Sequence, residues 1–349
     1  MKQIGIFDEA IALKRLSQLG DKLEWLESVM DWGMFQAALD EMKPDKTQTV
    51  KGGRPPLSNL MMFKIVILKE LNNASYDQME FLINDRLSWK RFLGLGLPEK
   101  APDSTTIRDF YELLKETGMY EDIFQLFNNK MEEIGVITHK GTIVDASFVD
   151  VPRQRNTREE NKTIKEGGVP EAWELDENSA MLEQKDLDAE WAKKNKEVHY
   201  GYKDHALVDA ESKMIIDYRV TGASVHDSQR FMEMITERIG AFWADSAYMS
   251  AAILDFFKEK FPKIELRICE KGHRNHPLTD EQRANNTEKS RIRSRIEHVF
   301  GHMTNSMGGM FLRCIGIERA ECAVGLKNLA YNISRYASLR RLGTAPKMA

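Results

Sequence analysis

The hydrophobic pattern changes period once along this chain, just after Gly135, and that change limits the architectures open to it. Before it, apolar residues recur at helical spacing. Leu23, Leu26, Met30 and Phe35 do so within 22–42, and the nearly unbroken apolar run 60–68 and segments 76–89 and 104–117 follow. Short breaks at 72–75 and 97–103 separate these helices, and Asp103 or Ser104 supplies an N-cap for the last of them. A polar linker at 43–56, rich in Gly and Pro and carrying Lys46, Lys51 and Arg54, interrupts the helical part. Short helices with interleaved Lys90, Arg91 and Arg108 suit a helix-turn-helix-like DNA-binding bundle. An ordinary helical bundle gives the same pattern, and by itself the segment reads as one.

After the change, short apolar runs replace helical stripes. Strands are expected at 142–146, 199–209, 214–221, 241–247 and 264–269, and helices at 228–239, 251–260, 287–303 and 318–342. The polar segment of about 150–198 between the first two strands reads as an insertion. The resulting order is strand, strand, strand, helix, strand, helix, strand, helix. It predicts an α/β, ribonuclease H-like domain at 138–349 with a mixed five-stranded sheet, preceded by an all-α domain at 1–137.

Charge enters because a nucleic-acid partner is at issue. The net charge is −4, which alone argues weakly against such a partner. Stretch 166–190, however, holds nine acids and one lysine, or −8, so the remainder is +4 and local basic surfaces are open to it. No apolar run is long enough for a bilayer span, and residues 1–12 have no apolar signal core, which points to a cytoplasmic protein. The three cysteines, Cys269, Cys314 and Cys322, form no CxxC pair, which argues against a disulfide framework or a cysteine zinc site.

Three acids stand out against their surroundings. Asp145 lies in an apolar strand, where a carboxylate is costly unless paired or bound to metal. Asp245 follows the apolar residues 241–244 in the same manner. Glu297 borders the buried stripe Ile292, Ile296, Val299, Phe300 and Met303, with Arg293 one turn before it. Each has an ordinary alternative: a strand-ending turn for Asp145, a helix cap for Asp245, an exposed helix pair with Arg293 for Glu297. Together they make an oxygen-ligand set for hard cations, Mg²⁺ or Mn²⁺, and two such ions suit phosphoryl transfer. Lys289, Arg291, Arg293 and Arg295 make the last of these segments basic enough for DNA.

Several motifs in order add to this reading. GTIVDAS at 141–147, HYGYK at 199–203, VHDS at 225–228, ADSAY at 244–248 and RIRSRIEHVFG at 291–301 resemble the DDE transposases of bacterial insertion sequences, specifically the insertion sequence five family. GRPP at 53–56 and PDSTTIR at 102–108 resemble the N-terminal domain of the same family, so the likeness spans about 50–342. It implies that Asp145, Asp245 and Glu297 are catalytic metal ligands. It further implies binding of double-stranded DNA (terminal inverted repeats and target DNA) and action as a homodimer in the cytoplasm, with no membrane partner. Ser290 and Thr304 stand where this family commonly has tyrosine and lysine. His226 and Asp227 are expected to border the site, although Asp227 also reads as a helix cap. Lys203, Arg54 and Arg108 are expected DNA contacts with the basic helix. A nuclease without strand transfer and a non-catalytic DNA-binding derivative are the competing readings.

Overall fold

The computed structural model describes residues 8–42, 57–151, 155–173, 183–194, 196–272 and 276–348. The linker 43–56, and with it Arg54, lies outside them. The chain divides into two compact units, Met1–Val136 with Leu326–Ala349, and Ile137–Gly325. The expected boundary at 137/138 falls beside the first division. The last residues, expected to close the second domain, group with the first unit instead.

The first unit is helical: α1 (Asp8–Gln18), α2 (Lys22–Val29), α3 (Gln36–Met42), α4 (Asn59–Asn72), α5 (Tyr76–Asp85), α6 (Leu87–Leu93), α7 (Ser104–Glu116) and α8 (Met119–Glu133). Helix α4 is buried around most of its circumference, through Met62, Phe63, Ile65, Val66, Ile67 and Leu68, as its nearly unbroken apolar sequence requires. Local chemistry sets the ends. Asp103 accepts from Thr106 N to cap α7, and Ser75 with Gln78 forms a capping box on α5. Residues Leu326, Leu329, Ala330, Ile333 and Tyr336 belong to this unit's core rather than the sheet's, which is why the C-terminal helix is apolar far along its length.

The second unit is built on a six-stranded mixed sheet. Its strands are β1 (Gly141–Asp150), β2 (Glu190–Lys194), β3 (Glu197–Asp209), β4 (Ile215–Gly222), β5 (Ala241–Ala244) and β6 (Glu265–Ile268). β3 runs antiparallel to β1, and its other edge is shared end to end by β2, opposite 197–201, and β4, opposite 202–208. On the far side β1 pairs parallel with β5, and β5 with β6. The five expected strands and the ribonuclease H-like order are present, and β2 is an addition to them. The helices are α9 (Arg158–Lys165), α10 (Ala251–Lys260), α11 (Asp280–Ser306) and α12 (Ile317–Arg341), the last of which runs on into the first unit's residues.

The sequence reading gains elements in one segment here and loses a helix in another. The segment 150–198 contains ordered structure: α9 starts on a Thr157–Glu160 capping box, and β2 extends the sheet. Its acid Asp186 is buried and accepts from Tyr202 OH at 2.7 Å and from Ala189 N at 3.1 Å, so part of the acidic stretch is structural rather than solvated. The second change is at 228–239, expected as a helix, where only a 3₁₀ turn forms at Phe231–Met234. There Ser228 N donates to His226 Nδ1 and the Ser228 hydroxyl pairs with the same atom, a local arrangement that competes with a helical start. Phe231, Met234, Ile235 and Ile239 still reach the core with Phe242, Tyr248, Ile253 and Phe257. No helix among the described residues is long and apolar enough to cross a membrane.

Candidate active site

Strand alternation decides where the first carboxylate points. Val144 enters the core formed with α10, so Asp145 turns to the opposite face of β1, where α11 packs. The parallel register carries the second carboxylate to the same level. Ile143 pairs with Trp243, so two residues further Asp145 on β1 stands level with Asp245 just beyond β5. Asp245 caps the 3₁₀ turn Ser246–Tyr248, its carboxylate accepting from Ala247 N at 2.7 Å. Glu297 is supplied by α11, which Ile296, Val299 and Met303 fix by burying one stripe.

One guanidinium joins two of the three. Arg293 donates through Nη1 to Asp145 at 3.2 Å and through Nη2 to Glu297 at 2.9 Å. The second contact is the i,i+4 pair expected from the sequence, and the first bridges residues far apart in the chain. Burial raises the Asp145 carboxyl above the usual carboxylate range. The Ala146 N–H, Lys194 and Arg293 act against that rise, and the nearby charge of Asp245 adds to it. Tyr248, 1% exposed, lies within the field of Asp145, Asp227 and Asp245, and burial holds its phenol neutral, well above its ordinary titration range.

The remaining expected residues divide by exposure. Lys203 is buried, its ammonium 2.7 Å from Asp227 and 2.7 Å from Val225 O, and over the Phe148 ring at 5.1 Å. His226 is exposed and engaged with Ser228, and Asp227, held by Lys203, caps no helix because only the 3₁₀ turn Phe231–Met234 follows, with Arg230 at its N-cap. On α11, Lys289 donates to Ile268 O at 2.9 Å and Arg295 to Ala210 O at 2.6 Å, while Arg291 is exposed. Arg108 lies on the surface of α7, 3.1 Å from Asp109. Lys194 escaped the sequence reading. It lies in β2, near Asp145 and over the face of Phe148, which stacks on His199 with ring centroids 3.9 Å apart. Its only sequence signal is its place in a polar stretch, which does not announce a strand.

The donor set is all carboxylate, the chemistry that hard divalent cations take. The Arg293 guanidinium lies between Asp145 and Glu297 and meets both carboxylates. Among the described residues no group of three or more His, Cys, Asp or Glu side chains is gathered closely enough to hold a metal ion as it stands.

Comparison with known proteins bears on the family of the chain. Residues 137–333 match the family model described as the transposase DDE domain, and residues 11–113 match a second, described as transposase domain (DUF772). Among solved structures, a cryo-EM structure of the piggyBac transposase synaptic complex with hairpin DNA overlaps 93% of this chain and 76% of that one. Its sequence identity is 12% and its TM-score 0.42.

Proposed function

Because the chain belongs to the transposase DDE domain family and is a DNA transposase, we propose that Asp145, Asp245 and Glu297 are its catalytic carboxylates. On this reading it cuts DNA at the terminal inverted repeats of its own element and joins the freed 3′ end to target DNA. The observation that carries the assignment is the parallel register of β1 and β5, which brings Asp145 level with Asp245 just past the end of β5, together with the guanidinium that meets both Asp145 and Glu297.

The carboxylates would hold Mg²⁺ or Mn²⁺, two ions in the reading favoured here, and the ions supply the positive charge that phosphoryl transfer needs. The protein's own part is positioning. β1 holds Asp145 on a strand paired on both sides, β5 ends where Asp245 begins, and the buried stripe of α11 fixes the rotation of Glu297 about that helix. Tyr248 contributes a buried neutral phenol near the acids, and no further anion. DNA phosphates would be met by exposed basic residues, of which Arg291 and Arg108 are in reach of solvent. Lys203 would act indirectly, by holding Asp227 and the residues around His226. Two element ends must be brought together, so the working assembly is a dimer on DNA.

The test uses the full chain, Mg²⁺ and duplex DNA carrying the element's ends. Asp145→Asn, Asp245→Asn and Glu297→Gln should each lower strand cleavage and strand transfer by a factor on the order of 10² to 10³, as loss of a main electrostatic element does. Retained cleavage in any of the three removes that residue from the site. Cleavage without strand transfer by the unaltered chain would instead support a nuclease.

A further inference from the structure

Tyr248 closes the 3₁₀ turn that Asp245 caps, and its backbone N–H donates to Asp245 O at 3.2 Å. Its ring is buried edge-on to Phe231, with centroids 5.2 Å apart, in the core that contains Val144, the neighbour of Asp145 on β1. Phenylalanine would satisfy this packing. The hydroxyl has no hydrogen-bond partner among the described residues, and a buried donor without an acceptor destabilises the fold. Three carboxylates act on this phenol, Asp145 first, then Asp227 and Asp245. The fold thus keeps an O–H group at a cost, and keeps it beside the acids assigned above. Asp145 has room to accept from it. Its Oδ1 takes the Ala146 N–H at 2.8 Å and its Oδ2 takes Arg293 at 3.2 Å, whereas a carboxylate offers about four lone-pair sites. Asp145 also lies past the last β1–β5 pair, Ile143 with Trp243, where β5 gives way to the turn carrying Tyr248. Arg293 and Lys194 already bring positive charge to Asp145, so a neutral donor there would fix the carboxylate and leave its charge intact.

We propose that Tyr248 is a positioning residue of the catalytic centre: its hydroxyl is held in reserve for the Asp145 carboxylate and donates to it once bound DNA draws that side chain into its working orientation. This rests on the assignment of Asp145 made above. The bond is charge-assisted, so it holds the acid more firmly than a bond between neutral groups would. The unpartnered O–H of the free protein and the orientation of the acid on DNA are thereby linked through one side chain.

The experiment compares Tyr248→Phe with the unaltered full chain on duplex DNA carrying the element's ends, in Mg²⁺. The cleavage rate at saturating DNA should fall about tenfold or more, the scale of a lost charge-assisted hydrogen bond, while affinity for the duplex stays the same. The thermal midpoint should hold or rise, because a buried donor without an acceptor has been removed. Tyr200→Phe is the control. Tyr200 is also fully buried, but among the charges of Asp186, Glu160 and Arg155, and its loss of a hydroxyl should leave cleavage unchanged. Cleavage at the unaltered rate in Tyr248→Phe, slower cleavage accompanied by a lowered midpoint, or an equal loss in Tyr200→Phe overturns the proposal. A second readout needs no turnover. With carbon-labelled tyrosine and without Mg²⁺, the Cζ resonance that is missing from Tyr248→Phe should move when DNA binds the unaltered chain and stay in place in Asp145→Asn. A resonance that stays put in both, or moves alike in both, equally refutes the link to Asp145. Full cleavage by Asp145→Asn would instead remove the carboxylate assignment on which the proposal rests.

Discussion

His205, fully buried in the middle of β3, shows how one side chain ties stability to pH. Its Nε2 lies 2.9 Å from the Thr221 hydroxyl, which itself donates to Gly222 O, so Nε2–H is the donor to Thr221. Nδ1 has no partner among the described residues, and a proton there would be buried without an acceptor. Burial accordingly lowers the imidazole from 6.5 to about 4. The unfolded chain takes up this proton between about pH 6.5 and 4 and the folded chain does not. Stability from this group is therefore complete above 6.5 and falls as pH drops through that window, by roughly 3 kcal/mol. Asp145, raised from 3.8, acts in the opposite sense, so the effect is read as a difference between proteins. Urea unfolding at pH 7 and pH 4.5 should show a larger loss for the unaltered chain than for His205→Asn; equal losses would mean that His205 is not the source.

At the scale of the element, β3 is the strand on which the sheet is assembled, since β1, β2 and β4 all pair with it. Gly201 sits where β2 gives way to β4, at φ +146°, a backbone region that side chains disfavour. A Cβ there would press on the Val149 carbonyl and come within 2.9 Å of Val151 N, whose hydrogen bond to Tyr200 O holds the end of β1. Gly201→Ala should cost about 2 kcal/mol or more, seen as a lower denaturation midpoint. A neutral result would show that the strand can rearrange around this position. The turn joining β3 to β4 is fixed by Asp209, which accepts from Ser212 Oγ at 2.7 Å and from Thr138 and His139 N–H at 3.2 Å each. Helix α11 begins at Asp280, earlier than its apolar stripe suggests, because the Thr279–Gln282 capping box starts it in a polar stretch.

For the molecule as a whole, a net charge of −4 must be reconciled with a polyanionic substrate. Attraction has to come from local basic surface, and phosphate contacts make it steeply dependent on salt. Affinity for element-end duplex should fall by at least about tenfold between 50 and 200 mM salt, measured by fluorescence anisotropy. A flat response would rule out phosphate contacts as its main source. Arg291→Gln should lessen the slope, because Arg291 is exposed on the basic helix, whereas Lys203→Gln should leave it unchanged and lower stability, because Lys203 is buried with Asp227.

The sequence by itself determined the helical first part, the five principal strands and their order, and the pairing of Arg293 with Glu297, and it put forward the three acids proposed as the site. Each of these is written in local periodicity or in a short motif, and a strand such as β1 or a helix such as α11 declares its buried face within a few residues. Tertiary structure alone decided the rest. The Arg293–Asp145 bridge, Lys194 beside Asp145, the burial of Lys203 and the passage of Leu326–Ala349 into the first unit all depend on residues distant in sequence. Short edge strands such as β2 are equally silent, since their side chains remain partly exposed and only the pairing with β3 makes them strands. Periodicity reports which face of an element is buried, and what that face meets is set by the packing of the whole chain.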